Sequence, residues 1–264
     1  MQYVSLGKSD LNVSRIALGL GFRGQSSENE AIRLIEHAID SGINFIDCAN
    51  KYRLRTGACD EHGSSEEILG QVLATRRDQL VITTKVGAEV GLGLDGGGCS
   101  QDNIMRQVER SLQRLDTDYI DLYLLHVFDP RTPLEETVRA QDDLVKSGKV
   151  RYFGCCNYQA WQVCKTLWLA DRLESVSPAC VQNHYSLLKR DDEAEVLPEC
   201  ARKGIGFLPW FPLESGLLTG KYRLGQDHPD GSRWKDGFGG DWAFKDGEKK
   251  LQRIEALIEY SESR

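Results

Sequence analysis

Short apolar runs alternate with longer amphipathic stretches from one end of the chain to the other. The runs fall at residues 15–18, 44–47, 80–86, 119–126, 150–154, 179–182 and 205–210, and they recur roughly every thirty residues, the length of one βαβ unit. They are nearly continuous in apolar character, as parallel strands buried on both faces must be. Helix punctuation lies between them. Ser27-Glu28-Asn29-Glu30, Ser64-Ser65-Glu66-Glu67 and Thr132-Pro133-Leu134-Glu135 read as capping boxes, with Pro133 at a first helical position. Gly42 and Gly148 follow the last periodic residues and read as left-handed caps. Ile104, Met105, Val108, Leu112 and Leu115 make one helical face between Ser100 and Leu115. Residues 3–6 and 11–13, around Gly7-Lys8-Ser9-Asp10, predict a hairpin ahead of the first parallel strand.

The pattern predicts one α/β domain spanning residues 1–264, a (β/α)8 TIM barrel with an N-terminal β-hairpin. Only seven barrel strands are visible, and the last predicted element is a helix near residues 249–260. A barrel needs eight strands to close and natural sheets avoid raw edges, so the expectation is a C-terminally incomplete barrel or a seam covered by something else. Three long loops, 53–63, 87–99 and 222–244, are expected to be functional or disordered.

Composition narrows the function classes. With 264 residues, 40% of them apolar, and 26 glycines, the chain can bury a full core. A net charge of -7 excludes the surplus of Lys and Arg that a nucleic-acid partner requires. There is no apolar run of the roughly eighteen residues a spanning helix needs, and the start lacks an apolar signal core, so a cytoplasmic protein with no membrane partner is expected. The eight cysteines form no C-x-x-C pair and no zinc spacing; they read as reduced thiols with no metal site. Vicinal Cys155-Cys156 is the one pair that suggests redox chemistry.

The candidate chemistry sits at successive strand ends. Asp47 closes the second parallel run, Lys85 stands near the end of the third, His126 ends the fourth, and Tyr52 lies five residues past Asp47. In parallel barrels the carboxyl rim is where catalysis occurs. Reducing a carbonyl needs a hydride at carbon and a proton at oxygen. Tyrosine is a poor acid near neutrality, and a lysine ammonium nearby is expected to lower its pKa. A carboxylate keeps that lysine charged and fixed, and a histidine can donate to the carbonyl oxygen. Each residue alone has an ordinary structural explanation as cap, rim lysine or core histidine. The four in order on three successive strand ends do not.

These stretches resemble the aldo-keto reductase superfamily. The resemblance is carried by Phe45-Ile46-Asp47 with Tyr52, by Gly63-Ser64-Ser65-Glu66-Glu67-Ile68-Leu69-Gly70, by Ile82-Thr83-Thr84-Lys85 and by the run from Asp118 to His126. It continues through Gly154-Cys155-Cys156-Asn157, Val181-Gln182-Asn183 and the run from Pro212 to Tyr222, nearly the whole chain in order. The closing segments look most like the bacterial-type members and the potassium-channel β subunits. The resemblance implies a nicotinamide cofactor, NADPH with NADH not excluded, and a small carbonyl substrate. It implies that Asn157 and Gln182 grip the carboxamide, with Cys156 where the family usually has serine. Trp210 would stack on the nicotinamide, and the run from Pro212 to Leu217, with Leu213, Ser215 and Gly216, would wrap the pyrophosphate with its backbone. Lys221 and Arg233 would lie near the phosphates, and Gly21, Phe22 and Asp47 would complete the cofactor contacts. The family's segment for the adenosine ribose and its 2′-phosphate has no counterpart in these residues.

Two other readings compete. Gly19-Leu20-Gly21-Phe22-Arg23-Gly24 fits a dinucleotide-binding glycine pattern, and Tyr185-Ser186-Leu187-Leu188-Lys189 has the Tyr/Lys spacing of short-chain dehydrogenases. Against them, Ser27 caps the next helix only after the third glycine, and Tyr185 follows its strand at once where a helix is needed. The alternative function is a nucleotide-binding regulatory or inactive relative with little turnover.

Overall fold

The computed structural model describes residues 1–22, 25–54, 63–91, 96–235 and 246–264. Within them β1 (Tyr3–Ser5) and β2 (Asn12–Ser14) pair antiparallel, Tyr3 facing Ser14 and Ser5 facing Asn12. The alternation that follows is β3 (Leu18–Gly19), α1 (Glu28–Asp40), β4 (Phe45–Asp47), α2 (Ser64–Arg76), β5 (Val81–Val86), α3 (Gln101–Leu115) and β6 (Ile120–Leu125). It continues with α4 (Leu134–Lys146), β7 (Val150–Cys156), α5 (Ala160–Arg172), β8 (Cys180–His184), α6 (Val196–Lys203) and β9 (Gly206–Trp210), and α7 (Gly247–Glu262) closes the series. Strands β3 to β9 form one seven-stranded sheet in sequence order, and the pairs from β3 to β8 are parallel. This is the α/β architecture expected, a barrel-type sheet with seven strands among the described residues.

The chain divides into two compact units. The first holds residues 1–183 and 194–208, the second residues 184–193 and 209–264. In the first unit the strand side chains split by parity. Ile46, Ile82, Tyr123, Leu125, Cys155 and Val181 face the helices, packing with Ile35, Leu69, Val108 and Leu144. Phe45, Val81, Leu122, Leu124, Cys156 and Cys180 face the other way and meet Leu6, Leu11 and Val13 of the hairpin. Gly7 at the hairpin turn has φ +57, and a Cβ there would stand 2.6 Å from Gly206 N, so only glycine lets the turn approach this closely.

The sheet of this unit curls. In a flat sheet β4 and β8, four strands apart, would be separated by roughly 19 Å at the usual strand spacing. Instead the Gln182 amide of β8 donates to Asp47 Oδ1 of β4 at 3.2 Å. That curvature gathers residues from distant strand ends at one rim.

Several boundaries moved, each for a local reason. The first parallel run, expected at residues 15–18, is strand only at Leu18–Gly19. Arg15 N donates to Gln2 O at 3.0 Å and Ser14 Oγ donates to Ile16 O at 2.7 Å, which ties residues 14–16 to the hairpin. Of the three capping boxes only the Ser27 cap forms, with Glu30 N donating to its hydroxyl, and the Glu30 carboxylate turns instead to Ser26 N. Ser64 accepts from Leu54 N and leaves Gly63 as the cap of α2, while the Thr132 hydroxyl donates to Asp129. Pro133 itself is the cap of α4 rather than its first residue. Gly42 and Gly148 are left-handed as expected.

Along α2, Glu66 is fully buried, accepting from the Thr84 hydroxyl at 2.5 Å and paired with Arg114 at 2.7 Å. Gly70 brings α2 against α3, since a Cβ there would meet Arg114 O at 2.5 Å. On α3 the predicted apolar face is buried apart from half-exposed Met105, and Asn103, Gln107 and Ser111 are buried beside it. Cys155 and Cys156 point to opposite faces of β7, and both are free thiols. Cys59 and most of the loop 53–63 lie outside the described residues, as do parts of the loops 87–99 and 222–244.

Candidate active site

Asp47 ends β4, Lys85 is the penultimate residue of β5 and His126 follows β6 directly, so strand geometry alone sets three of the four groups on one rim. Tyr52 is brought back by its own backbone. Tyr52 N donates to Ala49 O at 3.0 Å, and Tyr52 O accepts from Gly63 N at 3.3 Å and Ser65 N at 3.4 Å, anchoring the loop to the start of α2.

Lys85 Nζ is the hub. It is fully buried and donates to Asp47 Oδ2 at 2.7 Å, to Cys48 O at 2.8 Å and to Tyr52 Oη at 3.4 Å. Those three acceptors account for all three ammonium protons. Burial alone would lower the Lys85 pKa, but the Asp47 carboxylate, Tyr52 and Cys156 outweigh it and the net shift is upward. The lysine is a permanent cation.

Tyr52 departs from expectation. Burial pushes its phenol above the ordinary value, Lys85 opposes this, and Asp47 adds to the rise. The lysine does pull downward as the sequence suggested, but desolvation of the hydroxyl is the larger effect. Tyr52 is therefore protonated throughout the neutral range. The His126 ring stands edge-on to Tyr52, centroids 5.7 Å apart. Burial first, then the charges of Lys85 and Lys51, hold the imidazole down to about 3, so His126 is neutral at pH 7 and its Nδ1 is buried without a hydrogen-bond partner.

That depression has a measurable consequence. The unfolded imidazole binds its proton near pH 6.5 and the folded one only near 3, so the unfolded state is favoured as pH falls through that window. Stability is full above the unfolded value and drops by up to about 3 kcal/mol at pH 4 on this account. Urea unfolding of wild type and His126→Asn at pH 7 and pH 4 measures it. The variant should show the smaller loss, and equal losses would mean the ring is well solvated.

Two further residues of the first unit, Gln182 and Asn157, adjoin this hub. Gln182 links to Asp47 through its amide nitrogen, and its Oε1 accepts from the Cys156 thiol at 3.5 Å. Cys156, raised by burial, stays protonated and orients Gln182. Asn157, at φ 60 just beyond β7, donates from Nδ2 to His126 O at 2.9 Å. Gly21 is half-buried and Phe22 buried with φ 39, while Arg23 and Gly24, the rest of the glycine pattern, lie outside the described residues.

In the second unit Trp210 ends β9 and stacks on His184 at 4.4 Å. Pro212 and Leu213 are exposed, Ser215 and Leu217 are buried, and Gly216 is left-handed at φ 94. Leu217 packs with Tyr222, Leu251 and Ile254, which leaves only its backbone for a ligand. Lys221 Nζ lies over the Tyr222 ring at 5.2 Å, and half-buried Arg233 has its pKa lowered by burial. Tyr185 and Lys189 flank a tight turn, in which Ser186 N donates to Lys189 O at 3.1 Å, and so do not share a helix face.

A phenol, a fixed cation, a neutral imidazole and a carboxylate thus stand together at one rim, and among the described residues no group of side chains could hold a metal ion. Each unit by itself also carries polar groups of a kind that suit a dinucleotide. In the first unit the Gln182 and Asn157 amides stand at the rim, bonded to Asp47 and to His126 O. In the second, Ser215 Oγ is buried with no hydrogen-bond partner, a vacant donor for an acceptor oxygen. Residues 15–263 match the model of the Aldo/keto reductase family. This chain belongs to the aldo/keto reductase family. Among its relatives is the "Uncharacterized oxidoreductase YrpG" of Bacillus subtilis (strain 168), 39% identical over 229 residues that cover 84% of this chain and 69% of the relative. A "Probable voltage-gated potassium channel subunit beta" of Arabidopsis thaliana is 39% identical over 231 residues, 85% of this chain and 68% of the relative. Its namesake in Oryza sativa subsp. japonica is 38% identical over the same shares. As an aldo/keto reductase the chain is an oxidoreductase of a family that generally binds NAD(P)H. Among the described residues no helix is long and apolar enough to cross a membrane.

Two features of the site had no sequence signal. The Cys48 carbonyl that holds Lys85 is backbone, and backbone acceptors carry no residue signature. The Glu214 side chain, which the resemblance places only through the backbone of the pyrophosphate run, is 3% exposed and gathers three partners in the second unit.

Proposed function

We propose that this aldo/keto reductase is an NADPH-dependent reductase of small aldehydes or ketones, with Asp47, Tyr52, Lys85 and His126 as its catalytic residues. The supporting observation is the buried Lys85 ammonium, held by Asp47 at 2.7 Å and directed at Tyr52 Oη at 3.4 Å. When bound, the cofactor supplies a hydride to the carbonyl carbon. Tyr52, protonated at neutral pH, gives its proton to the carbonyl oxygen. The Lys85 ammonium stabilises the tyrosinate left behind, and Asp47 keeps that ammonium in place. Neutral His126 donates a hydrogen bond to the same oxygen as charge builds on it. Asn157 and Gln182 hold the carboxamide, with Gln182 oriented by Cys156 and Asp47. NADPH is preferred over NADH on family resemblance.

The assay is oxidation of NADPH at 340 nm with 4-nitrobenzaldehyde. Turnover well above that of the Tyr52→Phe protein is expected, and turnover equal to it would overturn the enzyme reading. The names of the two plant relatives, potassium channel subunits, favour a second reading, a regulatory protein with little turnover. Tight NADPH binding with no turnover on any aldehyde would select it.

A further inference from the structure

Resting on the cofactor reading above, we infer that Glu214 is a positioning residue whose carboxylate clasps the pyrophosphate-binding run in its strained conformation and so sets cofactor affinity. All parts lie in the second unit. Glu214 and Ser215, at φ 49 and 56, are left-handed, and Gly216 follows at φ 94. L residues with side chains avoid this region, so consecutive ones persist only where the surroundings hold them. Backbone bonds supply part of that hold, from Glu214 N to Phe211 O at 2.9 Å and from Gly216 N to Leu213 O at 2.9 Å.

The rest converges on one side chain. His184 Nε2 donates to Glu214 Oε1 at 2.7 Å, Ser186 Oγ donates to the same oxygen at 2.6 Å, and Lys250 Nζ of α7 lies 3.5 Å from Oε2. Burial would raise the carboxyl, but the bonds from His184 and Ser186 prevail and hold its pKa down to about 2, so it is a charged acceptor. His184 is also the ring on which Trp210 stacks. One carboxylate thus ties together the aromatic platform, the left-handed run and α7. Next to it, Ser215 Oγ is buried with no partner. A run held in advance with an open hydroxyl binds phosphate oxygens without first having to order itself.

The test is Glu214→Gln, with Ser186→Ala as a milder variant should the first prove poorly folded by circular dichroism. NADPH affinity is read by quenching of tryptophan fluorescence and, independently, by the KM for NADPH against kcat. Glu214→Gln should raise Kd and KM about tenfold or more, and Ser186→Ala about threefold, as expected for weakening a buried charged hydrogen-bond network. At saturating NADPH kcat should stay within about twofold, because the proton-delivery groups are untouched. Glu214→Asp should recover part of the loss. A merely stabilising role would lower the unfolding midpoint without this split. If wild type binds NADPH and the folded Glu214→Gln or Ser186→Ala protein binds it equally well, the clasp is overturned alone. If wild type binds none, the cofactor reading falls and the clasp with it.

Discussion

Replacing Tyr52 with phenylalanine should lower kcat about a thousandfold and leave NADPH binding within a factor of about two. The change deletes one oxygen. Lys85 keeps Asp47 Oδ2 at 2.7 Å and Cys48 O at 2.8 Å, so the hub stays assembled while its proton donor is gone. The half-buried ring still meets His126 edge-on, so packing changes little. Steady-state NADPH oxidation and fluorescence titration check the two halves separately. A Tyr52→Phe protein with wild-type kcat would move the proton donor elsewhere, with His126 the nearest alternative. Because burial and Asp47 raise the Tyr52 pKa, the reductive rate should hold steady across neutral pH and fall only where the phenol itself ionises.

The Lys85→Met protein should lose turnover to at least the same degree, on the order of a thousandfold, and should also be less stable. Methionine fills most of the volume but removes a cation at which three acceptors converge. Asp47 keeps one amide donor, Gln182, and stays mostly buried. Breaking a buried pair by removing one partner is costly, and since Asp47 retains some solvent contact the loss is about 2 kcal/mol rather than the full buried-pair penalty. Without the ammonium, nothing offsets burial at Tyr52, and the tyrosinate formed on proton transfer is left unstabilised. Paired measurements of kcat and urea midpoint test this. Wild-type kcat in a folded Lys85→Met protein would remove the lysine from the mechanism, and lost activity with unchanged stability would mean that water replaces the ammonium.

Much of this was legible in the residue order. Parallel strands bury both faces, so their apolar runs stand out, and seven of seven appear in the sheet with edges shifted by the hairpin and by side-chain competition. Strand ends are simple to locate, so Asp47, Lys85 and His126 could be assigned to one rim before any coordinates. Caps were less legible. Ser64 and Thr132 had the right spacing, yet each hydroxyl found another partner, because a cap depends on what else lies within reach and not on spacing alone. The side-chain network of Glu214 was not legible at all: its partners are 30, 28 and 36 residues away, one on α7.

By itself, the order of residues determined the repeated βαβ grammar and which polar side chains meet at the rim of the first unit, since periodicity and chemical type are local properties. Tertiary structure alone decided the electrostatics. Curling of the first unit's sheet brought Gln182 to Asp47 at 3.2 Å, and enclosure of the hub made desolvation the larger influence on Tyr52 and His126. Burial is a property of everything packed around a group, and a pKa set mainly by burial cannot be read from the neighbours along the chain.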